Sequence, residues 1–453
     1  MSLAPAKIMP TPEAGVPRVR KGSRAVAHSI LSKIVILGLQ ASTGILTARM
    51  LLPHGRGELA AMGLWPLLVA SLTTLGIPSS LIYHLRKLPE QRERLIANGF
   101  LMATLLGSLA AIVASFGLPF WLHQYPLSMV HAAQWFLLTV PICSMTLVGR
   151  AVLEAADEFS ASNAIQMLTP FATLLGLLAF LAAHKLNPYT AAIAYILASI
   201  PTFILMLGRV RRLGFGGWQF SPSSMKLLLG YGIRSYGIDV LGTLALQVDQ
   251  VLVVSMLSPS AMGTYVVVLS LSRMLNLFQN SVVMVLFPKA TGRSQEDIVA
   301  LTGRSARISS LITAACGLFV CVAGPVLLRI LYGKEYATAA GVLRILVLEV
   351  ILSGATFVLA QAFLAVGRPG VVTILQAIGL SLSIPMMLWL IPRYGIYGAA
   401  ISLLTSTVAR LLFIYSGFRI FLKTSPPQLM PNGNDLKLLL HAALSLRPER
   451  AAC

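Results

Sequence analysis

A succession of long apolar runs, separated by short polar stretches, constrains the fold of this chain more than any other feature. Each run has about 20 residues, enough for a helix to cross the hydrocarbon core of a bilayer. Only 11% of the 453 residues are charged, whereas a soluble globular domain carries about 25%. A β-barrel would instead show short segments of alternating polarity. The sequence therefore predicts an all-α polytopic membrane protein.

Twelve of these runs can be assigned as transmembrane helices, and the loops between them are short. The predicted spans are 25–48, 58–83, 95–121, 131–151, 160–183, 189–208, 227–256, 262–287, 306–331, 338–365, 371–391 and 396–418.

The distribution of basic residues predicts the orientation in the membrane. The net charge of +20 could indicate nucleic-acid binding in a soluble protein, but here it follows the positive-inside rule. If the amino terminus is cytoplasmic, the inner loops contain HLRKLPEQRER and GRVRRLGFGGW, whereas outer loops such as LHQYPLSMVH carry few cations. Both termini are therefore expected in the cytoplasm, and no nucleic-acid partner is expected.

An internal repeat divides the spans into two sets of six. MLLPHGRGEL at Met50 and MLSPSAMGTY at Met256 share Met, Leu, Pro and Gly in register, and AAIAYIL at Ala191 resembles AAISLLT at Ala399. Parallel repeats of this kind are typical of transporters with a site between two lobes. We predict a disordered cytosolic tail at 1–24, an amino-terminal six-helix lobe at 25–208, a basic cytosolic linker at 209–226, a carboxy-terminal six-helix lobe at 227–421 and a second cytosolic tail at 422–453. The stretch DLKLLLHAAL in that last tail is either a surface helix or frayed chain.

Enzyme and metal signatures are absent from the sequence. There is no GxSxG, HExxH or Walker loop. The four cysteines are scattered, without a CxxC pair or a Cys/His cluster. We therefore expect no catalytic residue, no metal site and no cofactor, and transport driven by an ion gradient, the membrane potential or substrate supply.

Three stretches resemble bacterial polysaccharide-export flippases. ILTARMLLPHGRGELAAMGLW is similar to their span 1–2 junction, YGIRSYGIDVLGTLALQVDQVLVVSMLSPSAMGTY to their span 7–8 junction, and IPRYGIYGAAIS to the start of their last helix. The resemblance covers about residues 25–420. These flippases share a superfamily with multidrug-extrusion (MATE) transporters and lipid II flippases.

The resemblance implies two six-helix lobes forming a V around a central cavity that opens alternately to either side. It also implies that the substrate is an undecaprenyl-diphosphate-linked oligosaccharide, such as an O-antigen or exopolysaccharide repeat unit, in the bacterial cytoplasmic membrane. The expected partners are this lipid, the surrounding membrane lipid, a polysaccharide polymerase and chain-length proteins, and the protein itself is expected to be monomeric.

Several cations lie within the predicted spans. A charge facing lipid at the bilayer centre costs roughly 2.5–3.5 kcal/mol, so these side chains are expected to face a cavity or each other. An arginine can grip a diphosphate with two parallel hydrogen bonds. The candidate substrate ligands are Arg273, Arg234, Arg344, Lys33 and Arg410. The alternatives are an ion pair for Arg273 and snorkelling to the inner interface for Lys33 and Arg410.

Three acidic residues lie in the same spans. Asp249 is interpreted as the structural partner of an arginine on the next helix, or as a ligand of a coupling ion. Glu349 and Asp239 are candidate proton carriers, because burial shifts a carboxyl toward titration near neutral pH. Gly57 and Gly263 are expected to permit tight outer turns.

The leading hypothesis from the sequence is a flippase for lipid-linked oligosaccharide. A multidrug cation antiporter of the same fold is the first alternative, and it should place unpaired carboxylates in its cavity. A membrane glycosyltransferase or polymerase is the second, and it should carry a sizeable outer loop with catalytic groups.

Overall fold

The computed structural model describes residues 18–290 and 293–429, and the regular structure of these residues is entirely helical. The helices are α1 Arg18–Thr73, α2 Ile77–Lys87, α3 Arg92–Trp121, α4 Leu127–Leu137, α5 Val140–Ala155, α6 Phe159–Ala182, α7 Pro188–Arg212, α8 Pro222–Met256, α9 Pro259–Arg273, α10 Asn276–Ala290, α11 Gln295–Leu331, α12 Ala340–Ala365, α13 Pro369–Tyr394 and α14 Ile396–Ile420. Short 3₁₀ turns precede α3 and α12.

The described helices account for the predicted number of spans. Ten segments are long and apolar enough to cross a membrane, or eleven with α9 and α10 taken as one span bent by 43°. The first segment, Leu31–Thr73, has 43 residues, roughly twice the length that a bilayer needs. It contains two helices that meet at Leu52, where φ is 58° and ψ is 177°. Counting it as two spans gives the twelve predicted from the sequence.

The break at Leu52 has a local cause. Pro53 follows it, and the proline ring disfavours the α conformation in the residue before it. Proline also lacks the amide hydrogen that would continue the helical ladder. The chain therefore changes direction here, at the predicted outer side of the membrane.

Helices extend across several of the predicted boundaries between lobes, linker and tails. Helix α1 begins at Arg18, inside the stretch predicted as a tail, and the basic linker contains the ends of α7 and α8. The stretch DLKLLLHAAL, predicted to be a surface helix or frayed chain, lies outside the described residues. The described start of the second tail crosses α11, where Gln295 donates to the Leu422 carbonyl at 2.6 Å and Arg307 to that of Gln428 at 3.0 Å.

The two copies of the internal repeat contact each other reciprocally on the predicted outer side. A Cβ atom on Gly57 would lie 1.7 Å from the Pro259 carbonyl oxygen, and one on Gly263 would lie 1.9 Å from the Pro53 carbonyl oxygen. Both glycines are helical, so the prediction that they permit turns is wrong. They let the backbones of α1 and α9 touch, as small residues do between membrane helices.

Two further contacts join α1 to the later helices on this side. The Arg49 Nε atom donates to the Leu331 carbonyl at 2.8 Å, and its Nη2 atom donates to that of Ile330. These carbonyls end α11, where a cation also interacts favourably with the helix dipole. The Tyr336 hydroxyl donates to the Ala48 carbonyl at 3.2 Å.

The amino-terminal and carboxy-terminal halves of the chain, α1–α7 and α8–α14, also touch on the predicted cytoplasmic side. The chain turns at Gly76, where φ is +71°, before α2 begins. A Cβ atom on Gly76 would lie 2.3 Å from the Gly232 carbonyl oxygen in α8. The Tyr236 hydroxyl donates to the Leu72 carbonyl nearby. The space between these two contact regions holds the candidate site.

Candidate functional site

A buried ion pair between α8 and α9 lies at the centre of the site. Asp249 is completely buried, and its Oδ2 atom accepts from Arg273 Nη2 at 3.1 Å and from the Tyr265 hydroxyl at 2.8 Å. The Asp249 Oδ1 atom has no hydrogen-bond partner among the described residues. The Arg273 side chain remains 30% exposed. The guanidinium therefore compensates the buried carboxylate while keeping part of its surface open to solvent.

Arg273 occupies a break in a membrane helix. It is the last residue of α9, and α10 starts at Asn276 after a bend of 43°. The carbonyl groups at a helix end favour a positive charge nearby. Broken helices at mid-membrane depth occur in transporters where the free backbone lines a cavity. The local chain thus places a cation next to polar backbone in the middle of a candidate membrane span.

Two cavities meet at Arg273, one on each side of it. The inner cavity, toward the predicted cytoplasmic side, has a volume of about 220 Å³, and the outer cavity has a volume of about 430 Å³. The inner cavity is lined by polar side chains of Lys33, Gln40, Gln166, Arg273, Asn276, Asn280 and Ser281, and the outer one by those of Arg56, Tyr195, Gln247, Gln250 and Arg273. Apolar residues line the remainder, and no acidic residue lines either cavity within the described chain.

Arg56 was missed by the sequence analysis. It lines the outer cavity, and its Nε atom is buried without a hydrogen-bond partner in the described chain. The repeat held a signal for it, because the second copy has the fully buried Met262 in the register position of Arg56. A cation that replaces a core residue in one copy of a repeat is a candidate for function.

Glu349 and Arg410 form a second buried cluster in α12 and α14, and the Glu349 carboxyl lies close enough to Arg273 and Asp249 to interact with their charges. The Thr407 hydroxyl donates to Glu349 Oε1 at 2.8 Å and accepts from Arg410 Nη2 at 2.8 Å. Arg410 Nη2 lies 3.9 Å from the same carboxylate oxygen. These side chains satisfy each other's charge, and neither lines the inner or the outer cavity.

The structure does not bring the other predicted residues to Arg273. Arg234 is exposed in the amino-terminal half of α8, and Asp239 accepts from the Ser79 hydroxyl at 3.4 Å. Arg344 is exposed and donates from Nε to the Cys321 carbonyl at 3.3 Å. Of the five predicted cations, Lys33 and Arg273 therefore line the central cavities. No group of three or more potential metal ligands occurs among the described residues.

Sequence comparison matches this chain to proteins of glycan assembly. A family model described as polysaccharide biosynthesis protein matches residues 46–341. A probable low-salt glycan biosynthesis flippase, Agl15 of Haloferax volcanii, is 25% identical over 211 residues. That match covers 44% of this chain and 45% of the relative, so it spans less than half of either protein.

Two solved structures share the fold over most of the chain. The lipid II flippase MurJ in an inward closed conformation has a TM-score of 0.76 at 13% identity, and the match covers 93% of this chain and 91% of MurJ. An inward-facing multidrug resistance MATE transporter of the MOP superfamily has a TM-score of 0.70 at 15% identity, covering 85% and 95%. The predicted all-α, polytopic, MATE-like fold is confirmed.

Proposed function

The chain belongs to the polysaccharide biosynthesis protein family, and from this premise we propose that it is a flippase for a lipid-linked glycan. The observation that carries the proposal is the charge of the two central cavities. Cations and amides line them, and no acidic residue does so in the described chain. Such a lining fits an anionic head that also carries hydroxyl groups.

The lining supports a sugar diphosphate in particular. A guanidinium binds phosphate oxygens with charge-assisted hydrogen bonds. The side-chain amides of Gln40, Gln166, Gln247 and Gln250 can donate to and accept from sugar hydroxyls. Arg273 lines both cavities, so the same cation can hold the diphosphate as access changes from one side to the other.

The finer assignment follows the resemblance found in the sequence. We propose an undecaprenyl-diphosphate-linked O-antigen or exopolysaccharide unit as the substrate, and the bacterial cytoplasmic membrane as the location, with both termini in the cytoplasm. The polymerase and chain-length partners, and the monomeric state, stay predictions.

The antiporter alternative receives less support. Export of organic cations calls for an accessible carboxylate, but Asp249 is fully buried beneath Arg273 and Tyr265. Glu349 is engaged by Thr407 and Arg410. A glycosyltransferase or polymerase would need catalytic groups on a large outer loop, and the outer connections within the described chain are short.

A reconstituted flipping assay tests this function. Liposomes with an undecaprenyl-diphosphate oligosaccharide in one leaflet receive the purified protein, and the heads that appear on the other leaflet are followed over time. The test variant carries Arg273→Gln together with Asp249→Asn, which removes the cation without leaving a lone buried carboxylate. Arg344→Gln is the matched control, because Arg344 lines neither central cavity.

We expect the wild type and the control to flip the lipid at the same rate. The double variant should be slower by at least about tenfold, the effect of losing one charge-assisted contact of roughly 1.4 kcal/mol. A wild type that leaves the lipid in place but exports organic cations against a proton gradient would overturn the proposal in favour of the antiporter.

A further inference from the structure

A second basic cluster lies on the predicted cytoplasmic side, away from Arg273, where α2 packs against α8. The Tyr83 and Tyr231 rings stack there, with their centroids 4.6 Å apart and their planes 12° apart. The His84 ring meets both of them edge-on, at 4.9 and 5.6 Å. Both tyrosines stay accessible, at 41% and 37%. We call these residues, together with Lys226 and Arg234, the seam cluster.

The length of α8 places the seam cluster near the predicted cytoplasmic face of the hydrocarbon core. The 35 residues of α8 rise roughly 50 Å, well over the ~30 Å of a hydrocarbon core. A helix needs about 20 residues to cross that core, so, counted back from Met256 at the predicted outer end, the membrane segment of α8 ends close to Gly237. The second half of α1 ends at Thr73, before α2 starts. Tyr83, Tyr231 and Arg234 therefore lie at the depth of lipid head groups or just outside them.

Two open cavities of about 490 Å³ each flank the stacked rings and share Tyr231. Arg86 and Lys87 line the first cavity, and His84, Lys226 and Arg234 line the second. No acidic residue of the described chain lines either one. The cluster thus combines positive charge with exposed aromatic faces.

The cations that line these two cavities differ in whether another side chain already binds them. Arg86 Nη2 lies 2.8 Å from Asp157 Oδ1, and Lys87 Nζ donates to the Tyr83 hydroxyl at 3.2 Å. Lys226 and Arg234 are exposed and form no ion pair with any described residue. The second cavity therefore holds two cations that are free to bind an anion.

His84 lines the second cavity and also carries an unsatisfied polar atom. Its side chain is buried, and its Nδ1 atom has no hydrogen-bond partner in the described chain. Burial, and then the nearby Lys87, lowers the pKa of this imidazole, so it is neutral at pH 7. A buried polar atom without a partner costs free energy that a ligand or water can recover.

We propose that the seam cluster is a landing site for a glycosyl diphosphate head, which binds there before it reaches the central cavities. This inference rests on the proposed function. Lys226 and Arg234 would hold the diphosphate. The tyrosine rings would pack against the apolar C–H face of the first sugar and offer hydroxyls at their edge. The position supports this role, because α2 and α8 belong to the two halves that touch at Gly76 and Gly232.

A binding experiment on the full chain separates this site from the central one. The background is the Arg273→Gln, Asp249→Asn protein, which lacks the one cation that lines both central cavities. The probe is farnesyl diphosphate carrying one N-acetylglucosamine, titrated onto labelled protein in nanodiscs. The test variant adds Lys226→Gln and Arg234→Gln, and the matched control adds Arg211→Gln and Arg212→Gln, two exposed arginines near the same side.

We expect saturable binding to the background protein, unchanged in the control and weakened at least about tenfold in the test variant. Tyr231→Leu should weaken binding of this probe more than binding of farnesyl diphosphate without sugar. Equal affinity of the test variant and the control would overturn the proposal. So would competition by phosphatidylglycerol as strong as that by the probe, which would identify a phospholipid site instead.

The flipping assay keeps the two proposals distinguishable. With the Lys226→Gln, Arg234→Gln variant in an otherwise wild-type chain, we expect slower flipping at low substrate and a normal rate at saturation. A wild type that binds the probe at the seam cluster without flipping any lipid-linked glycan would refute the proposed function and leave the binding site standing. Normal flipping by this variant at all concentrations would refute the landing site alone.

Discussion

At the scale of single residues, Asp249 and Arg273 are unequal partners. The carboxylate is fully buried, whereas the guanidinium is 30% exposed and retains some contact with water. Breaking a buried pair is costly mainly because it leaves an uncompensated charge in a medium of low dielectric constant. The loss of Arg273 should therefore destabilise the fold more than the loss of Asp249.

Thermal unfolding in detergent tests this asymmetry. Arg273→Gln should lower the free energy of unfolding by on the order of 3 kcal/mol, because Asp249 then lacks its counter-charge. Adding Asp249→Asn should restore most of that stability, although transport stays impaired. Equal Tm values for Arg273→Gln and the Arg344→Gln control would show that the ion pair does not stabilise the fold.

At the scale of helices, the contact between α1 and α9 depends on the absence of two side chains. A Cβ atom added to Gly57 would lie 1.7 Å from the Pro259 carbonyl oxygen, and one added to Gly263 would lie 1.9 Å from that of Pro53. Neither position has room for a side chain. The contact is reciprocal, since Pro53 and Gly57 correspond by the repeat to Pro259 and Gly263. The proline and glycine that the two repeat copies share therefore form the contact between these copies on the predicted outer side.

Gly263→Ala should separate the two helices and lower the free energy of unfolding by about 1–3 kcal/mol, the usual cost of overpacking. Gly44→Ala in α1 is the matched control, since a Cβ atom there would meet nothing within 4 Å. In the control, alanine should be neutral or stabilising by up to about 1 kcal/mol, because it suits a helix better than glycine. Equal Tm shifts for the two variants would contradict the contact.

At the scale of the whole molecule, the two halves touch on both sides of the central cavities. Arg49 and the repeat glycines join them on one side, and Gly76, Gly232 and Tyr236 on the other. Which side is cytoplasmic is predicted from the distribution of basic residues.

Cysteine labelling tests that orientation. In a chain without native cysteines, Lys185→Cys and Gln219→Cys place thiols in two exposed loops on opposite sides. In intact spheroplasts a membrane-impermeant maleimide should label position 185, and it should label position 219 only after permeabilisation. The reverse pattern would invert the topology and move the seam cluster to the outside.

The sequence indicated which spans contain cations, but not which of these cations contact an acidic side chain. Arg273 and Asp249 lie 24 positions apart on different helices, and their contact depends on how α8 and α9 pack. Arg410 was predicted to bind substrate or to snorkel to the inner interface, yet it contacts Glu349 of α12 and Thr407 of α14. Arg56 went unnoticed because it lies at a span junction, where basic residues are common, and only the cavity around it distinguishes it.

By itself, the sequence determined the number of spans, the helical class, the parallel repeat and the family, because bilayer thickness and hydrogen bonding in lipid leave an apolar chain few alternatives. The tertiary structure alone decided which charges are paired, that the repeat glycines join two helices and that Tyr83 meets Tyr231. These contacts join residues far apart in the chain. They depend on how side chains pack between helices, and such packing produces no periodic pattern in the sequence from which the contacts could be predicted.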